Sequence, residues 1–146
     1  IKWPNVIKPG TTSEEMVQNL DFAQTFLEAA MIDQPSDMQG ESLVPLLKGE
    51  SDQWNREAVY YHYYEYPSVH MVKRHYGIVS KKFKLVHFYN DIDEWELYDR
   101  LKDPNEMKNV YNNPEYKKIV EKLTEDLKQM RIQYGDSDLL DESFIY

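Results

Sequence analysis

Between residues 14 and 31 the apolar positions Met16, Val17, Leu20, Ala23, Phe26, Leu27 and Ala30 recur at the spacing of one helical face. They predict a helix within 13–31. Thr12 and Glu15 have the spacing of a capping box that would begin it early; a start at Asn19 or Asp21, with Met16 to Asn19 extended, satisfies the pattern equally well. Residues 33–56 lose this period. Pro35, Gly40, Pro45 and Gly49 interrupt them around Leu43-Val44-Pro45-Leu46-Leu47, which reads as a connector with one helical turn.

From Ala58 the pattern changes. Ala58–Tyr66 is rich in aromatic and β-branched residues, Tyr76–Ser80 and Phe83–Tyr89 flank a short Lys81-Lys82 turn, and Trp95–Asp99 alternates with period two. These are three or four antiparallel strands. After the break at Asp103-Pro104-Asn105, Pro114 sits where a first helical turn tolerates proline. Tyr116, Ile119, Val120, Leu123, Leu127 and Met130 then mark the apolar face of a helix reaching Tyr134 and ending near Gly135, with Lys and Glu opposite. The expected fold is α+β: a small antiparallel sheet packed with a C-terminal amphipathic helix, preceded by a helix and a linker. The acidic tail from Asp136 to Tyr146 either packs against a neighbour through Leu139, Leu140, Phe144 and Ile145 or is partly mobile.

Charge narrows the choice of partner. Seventeen basic against 26 acidic residues give a net charge of −9, which argues against nucleic acid, and no apolar run is long enough to cross a bilayer. The charge is unevenly spread. No carboxylate lies between Glu65 and Asp91, while Lys73, Arg74, Lys81, Lys82 and Lys84 do. Such a strip faces an anionic ligand or is simply a set of solvated strand faces and turns.

The same interval concentrates the candidate chemistry. His62, His70 and His75, three of four histidines, stand among five tyrosines between Tyr61 and Gly77. This is a metal site, a platform for a sugar or an anion, or the inner face of a sheet. Lys73 and Arg74 would oppose a divalent ion, whereas imidazoles, tyrosine rings and an Arg fork suit hydroxyls, sugar faces and oxyanions. His62 falls within a strand and reads as buried in the sheet. Asp91, Asp93, Glu94 and Glu96 cluster at a hairpin turn, but an EF-hand loop needs glycine where Glu96 stands. Phosphate-binding glycine loops, His-Glu-x-x-His and Gly-x-Ser-x-Gly are absent, and with no cysteine there is no disulfide or thiolate site.

Several stretches together resemble the C-terminal part of a type I, formylglycine-dependent sulfatase: IKWPNVIKPGTTSEEMVQNLDFAQTFLEAAMI, DMQGESLVPLLKGE and HYGIVSKKFKLVHFYNDIDEWELYDRLKDPNEMKNV, in that order, followed by the helix from Pro114. Gln24, Met31 and Glu41 depart from the family's usual Pro, Gly and Arg. The resemblance favours the later start for the first helix. It implies that residues 1–56 are the end of the catalytic domain with its linker, and 57–146 a C-terminal sheet-plus-helix subdomain.

It also implies that calcium and the formylglycine belong to an upstream catalytic domain, as do the sulfate-gripping lysine and histidine. Lys2 is not that lysine. No catalytic residue, metal ligand or cofactor site is expected in this chain, where no serine has Pro or Ala two places on and Arg four places on. The expected ligand is a sulfated carbohydrate of glycosaminoglycan or mucin type, contacted by His70 and His75 with Lys73 and Arg74 reaching a second sulfate or a uronate. The parent enzyme is expected in the periplasm or secreted. Trp3, Val17, Leu20, Phe26 and Leu27 are expected to pack against the catalytic part, so that the isolated fragment self-associates or loses stability. Two rivals are a phosphoesterase or phosphonate hydrolase on the same scaffold and a stand-alone acidic-glycan-binding module.

Overall fold

A computed structural model describes residues 1–138 and Leu140. The chain divides into two compact units, Ile1–Glu57 and Ala58–Tyr146.

In the first unit the helix α1 spans Asp21–Ala29. The late start prevails and the Thr12–Glu15 capping box does not form; Ser13 Oγ instead accepts from the Glu15 amide at 3.3 Å in a local turn. The reason lies in Asp21, whose carboxylate accepts from the Gln18 amide at 2.7 Å and the Glu41 amide at 3.0 Å and is clasped by both terminal nitrogens of Arg56, at 2.5 and 2.9 Å. A first turn built around this buried carboxylate leaves residues 16–19 to act as its approach. Thr25 extends the same bracing, donating to the Asp21 carbonyl at 2.6 Å and accepting from the Leu43 amide at 2.8 Å. The connector then forms α2, Val44–Lys48, closed by Gly49 at φ 85°, a left-handed cap that suits glycine. Val17, Leu20, Phe22 and Phe26 are exposed, whereas Trp3 and Leu27 are half-buried.

The second unit is a four-stranded antiparallel meander, β1 Ala58–Tyr63, β2 His75–Ser80, β3 Phe83–Phe88 and β4 Glu94–Asp99, in the order β1-β2-β3-β4. β1 stops three residues short of the expected Tyr66, where the chain leaves the sheet as a loop. The helix α3, Lys117–Gln133, follows a 3-10 turn at Pro114–Tyr116 whose first free amide, that of Glu115, is capped by the Asn113 side chain. Period two places Tyr60, His62, Tyr76, Ile78, Leu85 and Leu97 on one sheet face. Ile78, Leu85 and Leu97 there join Leu123 and Leu127 of α3 in the core. The edge of β4 is shielded: Asn109 Oδ1 accepts from the Leu97 amide at 3.0 Å, and the Val110 amide donates to the Leu97 carbonyl at 2.8 Å. Among the described residues no helix is long and apolar enough to cross a membrane.

The carboxylate of Asp136, the first residue of the acidic tail, is buried against the sheet beside His62. Of the residues named for the tail's packing, Leu140 is exposed, and Leu139, Phe144 and Ile145 lie outside the described residues.

Candidate functional site

The end of the sheet where β1 stops and β2 begins carries most of the candidate residues. Register puts Tyr63, His75 and Phe88 side by side across three strands, on the face opposite α3. The His75 ring stacks on Tyr63 at 5.5 Å, meets Tyr61 edge-on at 5.6 Å and lies 5.0 Å from Phe88. Its Nδ1 is 2.8 Å from the Lys73 carbonyl. A carbonyl only accepts, so Nδ1 carries the proton, and Nε2 of the neutral ring is left as an acceptor. The Tyr63 hydroxyl is buried without a hydrogen-bond partner among the described residues.

The loop 64–74 is braced at both ends. Its amides at Tyr66 and Met71 donate to the carbonyls of Tyr64, 2.9 Å, and Ser68, 3.1 Å. Arg74 is only 3% exposed; its Nε donates to the Tyr64 carbonyl at 3.0 Å and its Nη1 lies 3.3 Å from Asp91. This arginine therefore fastens the β1–β2 loop to the turn after β3 rather than reaching outward. Lys73 Nζ donates to the Tyr66 hydroxyl at 2.5 Å and sits 3.8 Å from that ring's centre. The tip, Val69 to Val72, is exposed, His70 with it.

The acidic turn has no common focus. Asp91 faces Arg74, Asp93 faces His87 at 2.8 Å, and Glu96 accepts from the Tyr98 hydroxyl at 2.9 Å. Among the described residues no group of three or more His, Cys, Asp or Glu side chains is placed to hold a metal ion.

His62 lies on the α3 face, away from His70 and His75 in role. Its Nδ1 is 3.0 Å from Asp136 Oδ2 and its Nε2 2.5 Å from the Tyr89 hydroxyl. Tyr60 also donates to Asp136, and Arg131 reaches Asp136 at 3.3 Å while its guanidinium lies 4.0 Å from the centre of the Tyr76 ring. Burial pushes His62 down to about 4 despite the opposing pull of Asp136. Burial also tends to raise Asp136, but the Tyr60 hydroxyl and the charges around it hold that carboxyl below its usual range. The neutral imidazole beside an ionised, walled-in carboxylate is a structural network. Sequence patterning marked His62 as buried but carried no signal for Asp136 and Tyr89 as its partners, or for Arg131 as the partner of that carboxylate.

Taken together, the loop end offers acceptors, a cation and aromatic faces for a polar ligand, but neither a nucleophile with its base nor a metal cradle. Residues 1–133 match the family model of the N-sulphoglucosamine sulphohydrolase C-terminal region, and the chain belongs to this family of sulfatase C-terminal domains. An N-acetylglucosamine-6-O-sulfatase of Bacteroides thetaiotaomicron is 52% identical over 141 residues, covering 94% of this chain and 25% of the relative. An ulvan-active sulfatase of Formosa agariphila is 30% identical over 182 residues, covering 99% and 34%. A solved structure in complex with its substrate D-glucosamine-2-N,6-O-disulfate superposes with a TM-score of 0.89 at 51% identity, covering 94% of this chain and 28% of that one. The phosphonate monoester hydrolase of Agrobacterium radiobacter gives 0.63 at 25% identity, over 78% of this chain and 24% of the other. The chain thus spans a quarter to a third of the length of these two curated sulfatases.

Proposed function

We propose that this chain is the C-terminal part of a carbohydrate sulfatase acting on 6-O-sulfated glucosamine units of glycosaminoglycan or mucin type, and that it supplies sugar selectivity and structural cover. The observation that carries this is 52% identity over 141 residues to an N-acetylglucosamine-6-O-sulfatase, running through both units. Residues 1–56 are read as the end of the catalytic domain and its linker.

The family resemblance assigns calcium and a formylglycine to the catalytic domain, where they would supply the attacking oxygen and offset charge at the sulfate. The residues of this chain do not fit either group: there is no cysteine, no serine in the required motif, and no metal-holding cluster among the described residues. What this chain's residues do is position a sugar. His75 offers Nε2 as an acceptor to a hydroxyl, His70 at the exposed tip donates or accepts, and Arg74 holds the loop through Asp91 so that both keep their places. The whole protein is read as periplasmic or secreted, where sulfated glycans are met.

The test uses the full-length protein and N-acetylglucosamine-6-O-sulfate. Sulfate release is expected, with His70→Ala or His75→Ala lowering kcat/KM by roughly tenfold, mainly through KM. Equal values for both variants and wild type would remove the sugar-contact claim, and no sulfate release at all would remove the sulfatase. A phosphonate monoester run in parallel reads the rival that the likeness to the Agrobacterium hydrolase favours. Tight binding of a sulfated glycan by residues 1–146 alone would instead mark a binding module.

A further inference from the structure

We propose that Lys73 reads a second sulfate group on the sugar, apart from the ester that is cleaved; this rests on the sulfatase reading above. Of the two cations that close the loop, Arg74 is committed to Asp91 and to the Tyr64 carbonyl. Lys73 has no carboxylate partner among the described residues: its contacts are the ring and hydroxyl of Tyr66. Nor does the surrounding chain supply one, since no Asp or Glu occurs from Tyr66 to Asn90.

An aromatic face and a phenol oxygen hold an ammonium in place without neutralising it. The hydroxyl uses one of its three protons and leaves two to be donated. Holding the stem also removes in advance rotamer freedom that a loose lysine would lose on binding. Tyr66 is itself fixed, by its amide on the Tyr64 carbonyl at 2.9 Å, and its ring centre lies 6.0 Å from the Arg74 guanidinium. At the main chain, His75 Nδ1 grips the Lys73 carbonyl at 2.8 Å and pins the residue to the start of β2.

A fixed, uncompensated positive donor does little for a neutral sugar hydroxyl and much for an oxyanion. Lys73 stands two residues before His75 and is tied to it through its carbonyl, so the oxyanion is assigned to the sugar that the histidine is proposed to contact. The substrate held in the solved structure that is 51% identical to this chain carries two sulfates, so a sugar of this kind retains an anion besides the ester cleaved.

The experiment compares kcat/KM of the full-length protein on D-glucosamine-2-N,6-O-disulfate with that on N-acetylglucosamine-6-O-sulfate. Lys73→Met is expected to lower the ratio of the two values by roughly tenfold, through KM, the size of one charge-assisted contact. Lys73→Arg should keep most of the ratio, and added salt should erode it in the wild type. A ratio that does not move in Lys73→Met, or a wild type indifferent to the second sulfate, overturns the assignment. Cleavage of neither compound would refute the sulfatase reading instead; calorimetric titration of the disulfate into wild type and Lys73→Met would then still read Lys73, with equal affinity counting against it.

Discussion

The Asp136 carboxylate and the His62 imidazole meet at 3.0 Å with side chains 6% and 3% exposed, joining residues 74 apart in the chain. The carboxylate can only accept, so His62 Nδ1 carries the ring proton and Nε2 takes the Tyr89 hydroxyl at 2.5 Å. The pair closes the end of α3 onto β1. It does so with a neutral ring, because burial outweighs the carboxylate and sets His62 at about 4.

That arrangement makes stability depend on pH with a definite sign. An unfolded histidine titrates near 6.5, so between about pH 6.5 and 4 the unfolded chain takes up a proton that the folded one refuses. Stability is therefore full above this window and falls as pH drops through it; Asp136, held below the usual carboxylate range, adds a further loss only in stronger acid. The expected loss from His62 is on the order of 2–3 kcal/mol from pH 7.5 to pH 4.5. Urea unfolding followed by circular dichroism should show it, and His62→Asn should flatten that segment of the profile. A variant profile parallel to the wild type would mean that His62 does not carry the dependence.

In the first unit the comparable commitment is Asp21 with Arg56. The aspartate side chain is fully buried, the arginine nearly so, and the guanidinium also lies 4.8 Å from the centre of the Trp54 ring. Burial alone would raise Asp21, but Arg56 and the Glu41 and Gln18 amides bring it below its ordinary value. Arg56→Met strands an ionised carboxylate and should cost about 3–5 kcal/mol. Asp21→Asn in the same background should recover part of that loss. Trp54 fluorescence during urea titration is a local readout; a single variant within about 0.5 kcal/mol of wild type would contradict the clasp.

How much of this was legible beforehand follows from the range of the signal. The four strands and α3 were readable because their apolar period is local, and the Lys81-Lys82 turn announces the β2–β3 hairpin. Position was harder. The Thr12–Glu15 box has the right letters, but helix α1 begins at Asp21 because Arg56, 35 residues on, completes a charge pair there, and one sequence carries no sign of such pairing. The same blindness affected Arg74 and Asp136. Both are charged residues that composition assigns to solvent, yet each is buried by a partner distant in the chain, Asp91 for one and His62 for the other. Among the candidate site residues, the tautomer of His75 and the seat of Lys73 on Tyr66 depend on a loop whose turns no period encodes.

Helix α1 displays apolar side chains on its outer face. Phe22 and Phe26 stack on each other, ring centres 6.5 Å apart, with Phe26 64% exposed, and Val17 and Leu20 are exposed beside them in the chain. Residues 1–146 expressed alone should associate, since patches of several hundred Å² seldom stay free on a monomer. Light scattering across a concentration series should show a mass rising above that of one chain, and Phe22→Glu with Phe26→Glu should return it to the monomer. A wild-type chain that remains monomeric at high concentration would refute the prediction.

Gly77 tests the packing beneath the candidate site. It pairs with Tyr61 on β1 and Val86 on β3, and the Tyr61 ring lies across the space a side chain would occupy. A Cβ at this position would stand 2.6 Å from the Leu85 carbonyl oxygen and 2.8 Å from Tyr61 Cε1. The first is backbone in the β2–β3 ladder and the second a ring that also meets His75 edge-on, so Gly77→Ala must displace a strand, a ring, or both. The expected cost is about 1–3 kcal/mol, as for other overpacked positions. Tyr61→Ala removes only the ring half of the clash; in that background the same alanine should cost less, and the difference is the coupling between the two residues. Four urea melts give that coupling. A value of zero would show that the ring does not occupy the space above Gly77. A coupling with the predicted sign would instead tie the geometry around His75 to a glycine whose lack of a side chain makes room for it.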